Sequence, residues 1–295
     1  MPALSYPTDR WQRLWFKCGN TKAECTGAGK DDFSSAAFLG ETPDESSVNF
    51  DNNWGSETVA HGKNDRIKFQ SSRKISVPTD GSGYKILPGS DDGVRLWIDG
   101  SEITLNDGFG PAWTDHGYRT YPFWIFLSAG EHTFRLDYYE NGGGARVSFD
   151  IVQSCRTPNF IKDFAHTENT MLFSFDQAPE AQSYEVKWCM NEHGVNAFGN
   201  ALCCTNPNGC SRKQPRGSSP WDADDKDPGF DHVDIENYAD PGTAHALFSK
   251  TKYNSMARRI CGSIQSGWAP INSNWLECKL SGACFGTGDT TCSNL

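Results

Sequence analysis

Gly89-Ser90-Asp91-Asp92-Gly93-Val94-Arg95-Leu96-Trp97-Ile98-Asp99-Gly100 joins a glycine-flanked acidic corner to a cleanly alternating strand. Val94, Leu96 and Ile98 fall on one face of that strand and Arg95, Trp97 and Asp99 on the other, the two-residue period of a half-buried strand. Asp91 and Asp92 stand at its mouth as adjacent carboxylates. Like charges in contact repel, so a buried pair needs a cation or strong hydrogen-bond donors to hold it. A solvated turn needs neither, because Asp and Gly are common turn residues. On these residues alone both readings stay open.

The same period recurs on either side of the corner. Tyr84–Leu87 feeds it, and Ile67-Lys68-Phe69 and Lys74-Ile75-Ser76-Val77 give two short strand candidates before that. Tyr121–Leu127 is an apolar, aromatic run that turns at Ser128-Ala129-Gly130-Glu131. His132–Glu140 follows, with Phe134, Leu136 and Tyr138 on one face, and Asn141-Gly142-Gly143-Gly144 turns again. In Ala145–Ile151 the residues Ala145, Val147, Phe149 and Ile151 face inward while Arg146, Ser148 and Asp150 face out. No segment carries a 3.6-residue apolar stripe of helical length. The pattern predicts an all-β domain, a sandwich or barrel.

With 295 residues the chain is long for one domain and comfortable for two. Ten Trp, 18 Phe and nine Tyr beside four Met, with 29 Gly and 15 Pro, indicate β structure with many turns. The net charge of -10 argues against a surface built for nucleic acid or anionic membrane and suits neutral sugars or cations as partners. No apolar run approaches the roughly 20 residues that span a bilayer, so membrane insertion is not expected. Met1-Pro2-Ala3-Leu4-Ser5-Tyr6 lacks a basic segment followed by an apolar run, which suits a cytosolic chain or a mature or excised segment of an exported one.

The eleven cysteines favour export. Cys18 and Cys25 are close in sequence. Cys155, Cys189, Cys203, Cys204, Cys210, Cys261, Cys278, Cys284 and Cys292 all lie in the loop-rich second half, as in a disulfide-stapled secreted domain. Their pairing cannot be read from spacing, and an odd count leaves one thiol free or joined to another chain. Zinc held by Cys203, Cys204, Cys210 and His193 is disfavoured, because no C-x-x-C spacing occurs. Met171, Phe173 and Phe175 alternate, as do Tyr184, Val186 and Trp188, and Met256–Ile264 reads as a later strand. Between them, Asn191–Ala244 is rich in Cys, Pro, Gly and Asp and reads as a long stapled insertion. Asp222–Asp227 fails as an EF-hand loop, since Lys226 takes a ligand position and Asp227 stands where Gly is needed. No nucleophile elbow, zinc-protease, P-loop or dinucleotide motif occurs and no carboxylate pair stands out as catalytic, so an enzyme is not expected.

Ser90–Gly100, Ala129–Glu140 with Gly143-Gly144-Ala145, and Phe50-Asp51-Asn52-Asn53-Trp54-Gly55 resemble the PA14 domain, over roughly Trp11 to Val152. This β-barrel module occurs in bacterial toxins, glycosidases, yeast flocculins and bacterial adhesins. In its sugar-binding members the Asp-Asp peptide is cis and both carboxylates bind one Ca2+, which in turn holds two sugar hydroxyls. The resemblance implies Asp91 and Asp92 as metal ligands and as the ligand-binding pair. It adds Asn141 through its side chain, and Gly143 and Ala145 through backbone carbonyls that neighbouring glycines let turn inward. Ca2+ suits such a set, because it takes six to eight oxygen ligands and accepts vicinal hydroxyls among them. Asn106–Tyr118 is the candidate specificity loop, with Trp113 either stacking on a sugar or plugging the core.

Leu172–Phe175, Ala178–Trp188 and Arg258–Ile264 with Trp268 and Trp275 resemble a fibronectin type III domain. The expected architecture is therefore all-β, with a PA14-type sandwich or barrel over residues 1–155. A disulfide-rich, fibronectin III-like sandwich follows over residues 156–295, interrupted at about 190–245. The implied function is calcium-dependent carbohydrate binding of the adhesin type, outside the cell or on its surface, with glycans or cell-surface polysaccharide as partners. Two alternatives accompany it. One is a structural subunit of a surface filament or sheath, bound to copies of itself or to other surface subunits; the other is the accessory region of a glycosidase.

Overall fold

The computed structural model describes residues 2–42, 45–167, 170–190, 211–215, 230–235, 252–267, 269–278 and 284–285. They form two units, Met1–Gln153 and Ser154–Leu295, and both are built of antiparallel β-strands as the alternation predicts. Cys155, placed by sequence at the end of the first unit, is bridged to Cys261 and belongs to the second.

The first unit contains β1 (Gln12–Lys17), β2 (Phe38–Glu41), β3 (Phe50–Gly55), β4 (Ile67–Val77), β5 (Ser82–Asp91) and β6 (Gly93–Ile98). β7 (Ser101–Ile103), β8 (Arg119–Thr120), β9 (Phe123–Leu127), β10 (Gly130–Glu140) and β11 (Ala145–Gln153) follow. One sheet has the order β2-β1-β4-β10-β6-β7; the other has β3-β11-β5-β8, with β9 also paired to β5. The inward residues predicted for β6, β10 and β11 are those that meet in the core. Val94, Leu96, Phe134, Leu136, Tyr138, Ala145, Val147 and Phe149 are all fully buried. Trp11 packs edge-on against Phe50 and Phe149, Trp15 of β1 against Trp54 of β3, and Phe134 of β10 against Phe149 of β11, which joins the two sheets through aromatic contacts.

Two strand expectations change. The short candidates around Ile67 and Lys74 are one continuous strand, β4, paired along its length with β10 from Ile67–Glu140 to Val77–Gly130. Gln70, Ser71, Ser72 and Arg73 break the apolar pattern there, but the first three are matched on both sides by β1 and β10, and Arg73 by β10. β1 left no alternating signal because both of its faces are covered. Trp15 enters the main core, while Leu14 and Phe16 pack with Ala37, Phe33 and Phe38 on the opposite face. That opposite face is roofed by the segment between β1 and β2. The segment holds a short helix, α1 (Lys22–Thr26), whose first turn is capped by Thr21 Oγ accepting from the Glu24 N–H at 3.2 Å. The fully buried Lys68 anchors it, giving its ammonium protons to the carbonyls of Gly29 and Asp32 and lying 4.5 Å over the Phe33 ring.

At the β9–β10 turn His132 Nδ1 lies 2.6 Å from Asp99 Oδ2 and Nε2 lies 2.9 Å from the Ser128 carbonyl. Two acceptors facing the two ring nitrogens favour the doubly protonated ring. Burial opposes its charge, yet Asp99 and the Ser128 carbonyl prevail and hold the His132 pKa above its usual 6.5. A raised histidine pKa stabilises the fold fully below the unfolded value and loses that contribution as pH rises through the folded one. Asp99, half-exposed, screens part of the effect. His132→Gln should therefore lower the unfolding free energy by about 1 kcal/mol near pH 6 and by visibly less near pH 9, read from urea unfolding at both pH values.

The second unit contains β12 (Phe160–Thr167), β13 (Thr170–Asp176), β14 (Ser183–Met190), β15 (Ser211–Pro215) and β16 (Phe230–Ile235). β17 (Lys252–Cys261), β18 (Ile264–Gln265), β19 (Ala269–Cys278) and β20 (Cys284–Phe285) complete it. Its sheets have the orders β12-β13-β16 and β15-β14-β17-β19-β20, with β18 beside β17. Buried Phe175 of β13 stacks on buried Tyr184 of β14 with centroids 5.2 Å apart, so the sheets share a core. The stretch expected to be an unpatterned insertion supplies a strand to each sheet. Ser211–Pro215 carries no apolar residue besides Pro215 and is held at a sheet edge by backbone pairing with β14, which leaves no hydrophobic period to read. Beside the Cys155–Cys261 bridge, the buried Arg259 donates to the Asp176 carbonyl at 2.6 Å and is ion-paired with its carboxylate. Cys203 and Cys204, either of which could staple the insertion to a strand by bridging Cys189, lie outside the described residues, as do the Asp222–Asp227 run and Trp268.

Candidate metal centre

The Asp91-Asp92 corner carries the chain from β5 in one sheet to β6 in the other, and Asn141–Gly144 carries it back from β10 to β11. Both crossings occur at the same end of the sandwich, because Tyr139 pairs with Gly93 and Arg146 with Asp91. The two acidic and glycine-rich corners therefore meet. Gly93 is required at this meeting, since a Cβ there would stand 2.2 Å from Cε1 of the Tyr139 ring. The Asp91–Asp92 peptide is cis.

Asp91, Asp92 and Glu140 each bring a carboxylate oxygen to within 4.8 Å of the others. Asp92 is buried: Oδ2 accepts from the Asn141 backbone N–H at 2.8 Å and Oδ1 from that of His116 at 3.1 Å. Tyr138 Oη donates to the Asp91 carbonyl at 2.9 Å. Asn141 gives Nδ2 to Asp115 Oδ2 at 2.7 Å, which leaves its Oδ1 as the remaining acceptor. That Asn141 Oδ1 and Glu140 Oε1 are both buried without a hydrogen-bond partner among the described residues. Such orphaned acceptors are uncommon in a folded core and call for a donor or a cation.

Electrostatics point the same way. Burial lifts the Asp91 carboxyl above the usual carboxylate range, against the pull of His116 and the Tyr118 N–H. Burial pushes Asp92 up to about 6; the Asn141 N–H opposes this while Asp115 and Asp91 add to it. Glu140 rises to about 9 through burial and the neighbouring Asp92 and Asp91. Three carboxyl groups so placed cannot all ionise comfortably without a positive partner. The donors are all oxygen, which suits a hard cation of the Ca2+ type and disfavours zinc.

Of the residues singled out by sequence, Asp91, Asp92 and Asn141 are brought together. Gly143 and Ala145 flank Gly144, whose missing Cβ would stand 3.4 Å from Asp91 Oδ2, so that loop lies alongside the Asp91 carboxylate. Gly143 has φ 118°, a conformation that favours glycine. Trp113 is half-buried and packs against the small cluster of Cys18, Cys25 and Tyr139, outside the main core. Its ring meets Tyr139 edge-on at 4.8 Å, Arg95 lies 4.0 Å over it, and its Nε1 donates to Asp31 Oδ1 at 3.0 Å. The same loop carries a second, more open ring, Phe109, 84% exposed. Sequence reasoning missed Glu140 and Asp115. Glu140 was visible in principle, since it shares the inward parity of Phe134, Leu136 and Tyr138. Asp115 sits in an irregular loop, where no period marks which side chain turns inward.

No protein-family model and no curated protein matches the chain. Among solved structures it is similar to an anti-sigma factor domain-containing protein from Clostridium clariflavum, 11% identical over 94% of this chain and 99% of that one, with a TM-score of 0.35. It is also similar to a PA14 sugar-binding domain from an RTX adhesin, 14% identical over 50% of this chain and 90% of the other, with a TM-score of 0.34. The epithelial adhesin 9 A domain from Candida glabrata, in complex with Galb1-3GlcNAc, is 14% identical over 50% of this chain and 87% of its own, with a TM-score of 0.31.

Proposed function

We propose that Asp91, Asp92, Glu140 and Asn141 hold a Ca2+ ion and that this centre binds glycan hydroxyls, in an adhesin-type protein that works outside the cell. The observation that carries the reading is the pair of buried, partnerless oxygens, Glu140 Oε1 and Asn141 Oδ1, set beside three clustered carboxyl groups. Bound Ca2+ would supply coordination positions that two vicinal hydroxyls of a pyranose can fill. The protein's own residues would fix the pocket around them. The backbone N–H groups of Asn141 and His116 hold the Asp92 carboxylate in place, and Tyr138 holds the Asp91 carbonyl. The carbonyls of Gly143 and Ala145 are the further donors that the PA14 resemblance assigns to this loop. The Cys18–Cys25 and Cys155–Cys261 disulfides support an oxidising compartment.

A glycan array tests this directly. The protein should bind a subset of glycans in Ca2+ and lose that binding in EDTA, with recovery when Ca2+ is restored. Binding that persists unchanged in EDTA would overturn the calcium part, and no binding to any glycan would overturn the sugar part. A filament subunit, by contrast, would assemble whether or not a chelator is present.

A further inference from the structure

Asp115 lies outside the carboxylate cluster, yet it decides which end of the Asn141 carboxamide faces it. Its two carboxylate oxygens accept from two donors, Tyr139 Oη at 2.8 Å and Asn141 Nδ2 at 2.7 Å. A carboxylate oxygen that accepts calls for a donor, so the amide offers its nitrogen to Asp115 and keeps its oxygen as the buried, partnerless acceptor. A reversed amide would set two acceptors in contact at Asp115 and bury N–H groups where Oδ1 now lies. That would remove one oxygen from the cation's donor set.

Tyr139, the second donor to Asp115, is itself clamped. Its fully buried ring lies over Gly93 and packs with Cys18, Cys25 and Trp113. The hairpin closed by the Cys18–Cys25 bridge presses on the same strand end, with Cys25 Sγ 3.9 Å from the Glu140 carbonyl oxygen. Lys22 of α1 lies where a Cβ on Gly142 would be, with Nζ 2.5 Å from that point. Disulfide hairpin, Tyr139, Asp115 and Asn141 thus form one continuous support behind the centre. The next residue, His116, ties the same loop to Asp92 through its N–H.

We infer that Asp115 is a positioning residue of the centre. Backed by Tyr139 and the Cys18–Cys25 hairpin, it aims Asn141 Oδ1 at the cation and anchors the 106–118 loop to the site. The inference rests on the reading that the centre binds a divalent cation. Partners of this kind, mutated, cost about tenfold to a hundredfold in metal affinity.

The test uses isothermal titration with Ca2+ and the luminescence lifetime of bound Eu3+, which counts waters on the ion. Asp115→Ala should weaken Ca2+ by about tenfold and add about one water to bound Eu3+. Tyr139→Phe, which keeps the ring and its packing, should shift both readings in the same direction by less. In an Asn141→Ala background Asp115→Ala should have little further effect, because the two act through one oxygen. Equal affinity and hydration in wild type and both single variants would overturn the inference. So would full additivity with Asn141→Ala. Absence of Ca2+ binding in the wild type would instead overturn the cation reading itself.

Discussion

Calcium at a hundred times its dissociation constant is expected to raise the unfolding free energy by about 2.7 kcal/mol, and Asp92→Asn to abolish that gain. For a unit of this size the gain corresponds to a rise of roughly 5–10 °C in the melting transition of residues 1–153. Asp92 is the sensitive position because both of its oxygens are committed to backbone N–H groups, of Asn141 and His116. An asparagine can accept at only one of those places and must turn its own N–H groups toward the other donor. The substitution also removes one of three charges from the cluster. Differential scanning calorimetry with and without Ca2+ reads the result. Asp107→Asn, on the 106–118 loop but outside the cluster, should keep the full shift. A shift of the same size in Asp92→Asn, or none in the wild type, would contradict the assignment.

How far the sequence could be read depends on which faces of each strand are covered. β6, β10 and β11 have one face in the core and one toward polar surroundings, so Val94, Phe134 and Phe149 fell on predictable positions. β1 is covered on both faces, by Trp15 on one and by Leu14 and Phe16 on the other, and a continuous apolar run has no period to read. β4 was split because buried Ser71 and Ser72 look like a polar break, although the ladder with β1 and β10 continues through them. α1 is five residues long, too short for a helical stripe.

The site divides in the same way. Asp91 and Asp92 were legible because two adjacent carboxylates open directly onto an alternating strand, whereas Asn141 was reached only through the PA14 resemblance of its loop. Glu140 was hidden in plain view, since a charged residue at an inward position reads as the end of a strand until its neighbours are known. Asp115 and the true surroundings of Trp113 depend on how a loop folds back onto the strand end at Tyr139. Nothing local encodes that, because the contact joins residues 24 positions apart.

Glu140 gives the centre a pH signature that separates it from ordinary surface carboxylates. Its pKa rises to about 9 and that of Asp92 to about 6, whereas an unfolded chain titrates such groups near 4. The folded, cation-free protein thus keeps protons that the unfolded chain has already released. Stability from these groups is present below about pH 4 and is lost as pH rises through their folded values. Asp137, raised to about 6 by burial against the pull of Arg135 and Arg95, acts in the same sense but is spent by about pH 7. Lys68, lowered to about 8 by burial, acts in the opposite sense above that value, and equally in every variant that keeps it. The difference between wild type and Glu140→Gln from about pH 7 to 9 therefore isolates Glu140. In chelator, the wild type should lose stability across that window while Glu140→Gln loses less, so that the variant becomes the more stable of the two near pH 9. In Ca2+ the order should reverse, because the variant has given up a charged oxygen and binds the ion about tenfold more weakly. Parallel curves for the two proteins, with and without Ca2+, would place Glu140 outside the centre.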